Sequence, residues 1–164
     1  MNTNNEIDGN QFESAYRMCL NYLSRREYSY KELYDKLKRQ GFVDDVIDNC
    51  LITLREKGYQ SDQRFAEMLI RTRISQRYGG RKIAYELNQK GVKSQLFTPI
   101  IEQYNSQLLD NAQQLIIRKS CRYGIDAVFK QPSLKSRIVR FLLHKGYDYD
   151  TIHLALEVLQ ERCD

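Results

Sequence analysis

Catalysis needs a nucleophile, a proton carrier or metal ligands at workable spacing, and this sequence holds little of that chemistry. His144 stands at the end of one helical pattern and His153 inside another, neither with a cysteine or carboxylate at a recognised catalytic or metal-ligand interval. Cys19, Cys50, Cys121 and Cys163 lie far apart and form no CxxC pair. Neither a Walker-type phosphate loop nor a GxGxxG turn occurs. No catalytic, cofactor or metal site is expected, and the chain is read as a non-enzyme. The chemistry that is present is positive charge, concentrated around "RYGGRK" at Arg77–Lys82.

From Ser61 to Lys93 the sequence carries eight cations and three acids, a surplus equal to the net charge of +5 on all 164 residues. Glu67 is placed to pair with Arg71, and Glu86 with Lys82, at the four-residue interval that brings helix side chains together. Arg73, Arg77 and Arg81 have no acid three or four residues away. Arg73 and Arg77 are themselves like charges at that interval, which costs a helix about 0.2–0.5 kcal/mol. Such an arrangement makes sense when an outside anion neutralises it. Gly79-Gly80 permits a sharp turn at which Arg73, Arg77, Tyr78, Arg81 and Lys82 converge, and free amides opening the next helix add to the anion preference. A smaller copy follows, with Arg118 and Arg122 four apart and Lys119 beside them. These eight residues are the candidate partner-binding set.

Repetition defines the elements that carry them. "LYDKLKRQGF" at Leu33–Phe42, "IAYELNQKGV" at Ile83–Val92 and "IVRFLLHKGY" at Ile138–Tyr147 share one frame: aliphatic, three residues, leucine, three residues, glycine, apolar. The glycines recur at intervals of 50 and 55 residues, the mark of tandem helical units. Leu33 with Leu37, Ile83 with Leu87 and Ile138 with Leu142 make one buried stripe on each helix. Lys38 and Arg39, Lys90 and Lys145 suit the negative helix end, and the glycine takes the left-handed closing position. "SYKE" at Ser29–Glu32 reads as a capping box, while Glu32 with Lys36 and Asp35 with Arg39 read as local ion pairs.

A further amphipathic pattern follows each glycine, and another precedes each frame, over Phe12–Arg26, Asp62–Arg77 and Asp110–Tyr123. The reading is all-α: an elongated array of three tandem three-helix repeats, nine helices in all. The repeats cover residues 12–60, 61–107 and 108–164, behind a loose polar tail at residues 1–11.

Composition bounds the setting. Hydrophobic residues make up 41% and charged residues 29%, enough for a core beneath a solvated surface. The basic balance favours an anionic partner. No apolar run reaches membrane-span length, so no membrane partner is expected. The cysteines, with Cys19 and Cys50 on apolar helix faces, read as core thiols of a cytoplasmic protein.

A helix-turn-helix DNA reader is the rival function, because three short helices around a glycine turn match its outline. The residues that such a motif places against DNA are here Asp44, Asp45 and Asp48 in the first repeat and Asp148 and Asp150 in the third. Phosphate repels them. Non-specific contact through the arginines stays open.

"YLSRREYSYKELYDKLKRQGF", "DDVIDNCLITLREKGYQSDQRFAEMLIRTRI" and "RYGGRKIAYELNQKGV" resemble the RecX family of recombinase regulators, a resemblance that runs from Ala15 to about Leu159. It implies a non-catalytic, curved helical array that binds the RecA recombinase filament in its groove. Inhibition of ATP hydrolysis and strand exchange follows, restraining recombination and the SOS response. It also implies DNA binding in some members, single- or double-stranded. Gly80 departs from the family pattern, where proline is common. The partners expected are the recombinase filament and nucleic-acid backbone, for a monomeric chain without cofactor.

Overall fold

The structure, a computed structural model, describes residues 3–162, with side chains from Gly9 onward. Among the described residues there are ten α-helices and no strand. The first repeat is α1 (Thr3–Leu23), α2 (Tyr30–Arg39) and α3 (Asp44–Glu56); the second is α4 (Asp62–Ser75), α5 (Gly80–Gln89) and α6 (Ser94–Glu102). In the third, α7 (Asn105–Ser120), α9 (Pro132–His144) and α10 (Tyr149–Glu161) are joined by a short extra helix, α8 (Asp126–Lys130). That helix fills the added length between the second and third glycines and makes the count ten rather than nine. Helix α1 begins at Thr3, well before the Phe12 start expected from periodicity, so much of the polar stretch read as a loose tail is helical. Met1 and Asn2 lie outside the described residues, as does Cys163.

The middle helices form for the reasons their frame implies. Ser29 Oγ accepts the Glu32 amide at 3.1 Å and Glu32 Oε2 accepts the Ser29 amide at 3.4 Å, closing the capping box on α2. Leu33 and Leu37, Ile83 and Leu87, and Ile138 and Leu142 are all buried. Each such side chain contributes roughly 1.5–3 kcal/mol of transfer free energy. At the end of α9, Gly146 has φ +92°, and Tyr147 donates its amide back to Leu142 O at 3.1 Å.

The chain divides into two compact units. One comprises the residues up to Met68 together with Asn88–Lys93; the other comprises Leu69–Leu87 and the residues from Ser94 onward. None of the three chain boundaries, after Met68, Leu87 and Lys93, falls between repeats. In the first unit α3 packs on α1 and α2 around Ala15, Cys19, Leu37, Ile47 and Leu54. Cys19 and Cys50 are buried free thiols, and a mutual hydrogen bond and burial push Cys19 far up from its ordinary range. Cys121 departs from the core-thiol expectation and is exposed. Polar contacts tie the start of the second repeat into this unit. Asp62 Oδ1 accepts the Tyr30 amide at 2.8 Å, and Arg64 pairs with Glu27 at 2.7 Å.

In the second unit α7 and α10 pack closely, burying Ala112, Ile116, Ile152 and Ala155. The ion pairs within α2 are not the expected ones. Asp35 binds Lys31, and Glu32 binds Arg26 and Lys90, because its side chain is turned inward to cap the helix.

Candidate functional site

The basic corner lies in the second unit and is built on backbone. Helix α4 closes with Arg77 donating its amide to Ile74 O at 2.8 Å and Tyr78 donating to Arg73 O at 3.0 Å, a Schellman pair. The closing residue in left-handed backbone is therefore Arg77, with φ +60°. It is the one non-glycine with positive φ among the described residues; the other such positions are glycines. Its carbonyl accepts the hydroxyl of Tyr147 at 3.2 Å. That phenol is buried, and burial pushes it up to about 12.

Gly79-Gly80 serves close approach rather than a tight turn. Gly79 donates its amide to Lys145 O and Arg81 donates to Gly146 O, both at 2.9 Å. A Cβ on Gly79 would lie 2.2 Å from Gly146 C and from Tyr147 N. The amides at residues 79 and 81 are therefore consumed inside the protein, which corrects the expectation that they are free for an anion.

Arg73 does not belong to the uncompensated set. Its Nε and Nη2 donate to Glu86 Oε2 and Oε1 at 2.7 and 2.6 Å, and its Nη1 donates to Gln76 at 2.9 Å. The hydrogen bonds to Glu86 raise the guanidinium above its ordinary pKa. This pair joins α4 to α5 across thirteen residues, beyond the reach of a search along one helix. Glu86, expected to pair with Lys82, instead holds Arg73 in this two-point pair. Glu67 likewise accepts from Gln63 rather than Arg71.

Arg77, Arg81 and Lys82 have no carboxylate within 4.0 Å among the described residues. Lys82 Nζ sits 4.5 Å from the centroid of Tyr78, and Lys145 Nζ, from the third repeat, lies 4.6 Å from the same centroid. Sequence spacing does not single out Lys145, whose position in the frame is explained equally well by the helix dipole. Arg118 and Lys119 occupy the last turn of α7, exposed, with Lys119 Nζ 4.3 Å from the ring of Phe141. Arg122 is exposed in the turn beyond that helix, directly after the C-cap residue Cys121.

Three of the five acidic residues of the rival reading have partners inside the protein. Asp44 binds Lys38 at 2.7 Å and the hydroxyl of Tyr34, Asp48 accepts from Tyr30 at 3.2 Å, and Asp148 caps α10 by accepting the Thr151 amide at 2.7 Å. They support the scaffold, and none presents a base-reading donor. His153 pairs with Glu157 at 3.2 Å on the exposed face of α10, and His144 is exposed at the end of α9. Among the described residues no helix is long and apolar enough to cross a membrane.

Comparison with known proteins fits this architecture. Residues 15–52 match the family model described as RecX, first three-helix domain, and residues 61–97 match RecX, second three-helix domain. The Regulatory protein RecX of Legionella pneumophila (strain Corby) is 39% identical over 144 residues, covering 86% of this chain and 89% of its own. That of Haemophilus influenzae (strain ATCC 51907 / DSM 11121 / KW20 / Rd) is 32% identical over 137 residues, covering 83% and 88%. The crystal structure of RecX from Lactobacillus salivarius superposes with a TM-score of 0.83 at 24% identity, covering 93% of this chain and 98% of that one, a likeness of fold. With two domain models and relatives matched over most of their length in agreement, the chain belongs to the RecX family of regulatory proteins.

Proposed function

We propose that this chain is a non-catalytic cytoplasmic regulator that binds the RecA recombinase filament as a monomer. Binding inhibits ATP hydrolysis and strand exchange, and so restrains recombination and the SOS response. Membership of a family of regulatory proteins supports this reading. The observation that carries it to particular residues is Arg77, held in left-handed backbone with no carboxylate within 4.0 Å among the described residues. For an ordinary residue that conformation costs about 1–2 kcal/mol, and glycine would remove the cost. An arginine kept there is explained by what its side chain does outside the protein.

Arg77, Tyr78, Arg81 and Lys82 then form the principal contact, with Arg118, Lys119 and Arg122 as a second one. Several modest contacts on one array raise residence time without a single strong site. Bridging neighbouring recombinase subunits opposes the motions that accompany nucleotide turnover.

The test titrates the protein into a DNA-stimulated ATPase assay of the cognate recombinase. The wild type inhibits, and added salt weakens the effect. The variant Arg77→Glu/Arg81→Glu inhibits at least about tenfold less well, a loss of about 1.4 kcal/mol, with unchanged helical circular dichroism. Full inhibition by the variant would return both arginines to ordinary surface.

A further inference from the structure

The repeat frame provides a comparison inside the molecule. Counted back from the glycine that ends each middle helix, Tyr28 and Tyr78 hold one position and Glu32 and Lys82 another. Lys90 and Lys145 each precede their glycine. In the first unit these residues form a closed charge set. Glu32 accepts Lys90 Nζ at 2.8 Å and Arg26 Nη1 at 3.3 Å, and the Arg26 guanidinium lies 3.6 Å from the centroid of Tyr28. One carboxylate serves two cations beside an aromatic ring.

In the second unit the ring and the lysine before the glycine are kept, but Lys82 stands where Glu32 would. Lys82 and Lys145 both lie against Tyr78, so their charges are no more than about 9 Å apart, within one Debye length at 0.1 M salt. Neither has a carboxylate within 4.0 Å among the described residues, and exposed Arg81 adds a third cation next to Lys82.

Their placement is fixed by the backbone. The bonds from Gly79 to Lys145 O and from Arg81 to Gly146 O hold both lysines at the corner, and a Cβ on Gly146 would meet Lys82 Cβ at 2.3 Å. Relative to the first unit, this position has lost its anion and gained a cation. We propose that a phosphate group from outside takes the place of that carboxylate, bridging Lys82 and Lys145 across Tyr78. A tetrahedral phosphate offers oxygens in several directions to separate ammonium donors, each treating it as a point charge. The proposal deepens the reading of the basic corner, and it is tested without recombinase so that each can fail alone.

The experiment compares the wild type with Lys82→Glu, which restores the charge set of the first unit. A labelled single-stranded oligonucleotide is titrated by fluorescence anisotropy at several salt concentrations. Inorganic phosphate and ATP are tested separately by thermal shift. The wild type binds the oligonucleotide with a negative salt slope, and Lys82→Glu weakens binding about tenfold or more while melting at the same or a higher temperature. Lys145→Gln weakens binding and makes the salt slope shallower by about one unit. A wild-type thermal shift with inorganic phosphate or ATP, lost in Lys82→Glu and unaccompanied by oligonucleotide binding, assigns the site to free phosphates. Equal binding by wild type and both variants overturns the proposal. So does a wild type that binds neither the oligonucleotide nor inorganic phosphate nor ATP, for that outcome leaves the two lysines without a phosphate ligand.

Discussion

Arg73 and Arg77 stand four residues apart on paper with similar charge surroundings, yet folding sends them to opposite fates. Arg73 folds onto Glu86 in a two-point pair, with 29% of its side chain exposed. Replacing it with methionine should cost about 1–2 kcal/mol of stability, through lost charge-assisted hydrogen bonds, and leave recombinase inhibition unchanged. Arg77 has the reverse profile. Arg77→Gly removes a strained backbone and should raise the unfolding free energy by roughly 0.5–1 kcal/mol, glycine's greater unfolded-state freedom offsetting part of the relief. The same variant should inhibit less well. Urea unfolding and the ATPase titration, run on both proteins, read the two effects separately. Opposite signs of stability change paired with opposite functional outcomes are the expected signature. An Arg77→Gly protein that is both more stable and fully inhibitory would leave the arginine's side chain without a role.

At the scale of helices and corners, local features were visible in the sequence and paired features were not. The capping box at Ser29, the apolar stripes and the closing glycines depend on neighbours within four residues, and each formed as its spacing implies. The contact of Gly79 with Gly146 depends on residues from two different repeats, and no spacing rule reports it. Two adjacent glycines consequently looked alike. They are not. Gly79→Ala drives a methyl group into backbone atoms at 2.2 Å and should destabilise by about 3 kcal/mol, because peptide groups cannot step aside as a flexible side chain can. Gly80 is the first residue of α5, its added Cβ would stand at an ordinary 3.4 Å from Ile101, and helical amides at that position have no intrahelical acceptor. Gly80→Pro should therefore be tolerated and stabilise by roughly 0.4–1 kcal/mol. Thermal melts of the two single variants test the distinction, and a destabilised Gly80→Pro would show that the corner needs a freer backbone there.

For the molecule as a whole, repeats in the sequence and units of folding turn out to have different boundaries. The periodic frame places a division after Gln60, since a new helix starts at Asp62. The first unit nonetheless takes in residues up to Met68 and the distant segment Asn88–Lys93. The reason is chemical. Tyr30, the first residue of α2, offers an amide that has no acceptor in its own helix, and Asp62 provides one; Glu27 and Glu32 find their cations in Arg64 and Lys90. Burial of Glu32 works against its ionisation, but the hydrogen bonds from Lys90 and Arg26 outweigh it and hold the carboxyl below its usual range. A chain ending at Gln60 loses Asp62, Arg64 and Lys90 together, whereas one ending at Lys93 keeps them all. At about 1 kcal/mol for each lost interaction, the shorter chain forfeits a large share of the few kcal/mol that a unit of this size can muster. Its urea midpoint, followed by circular dichroism, should fall clearly below that of the longer chain. Equal midpoints would mean that the first three helices are self-sufficient and that their links to Asp62, Arg64 and Lys90 are incidental to folding.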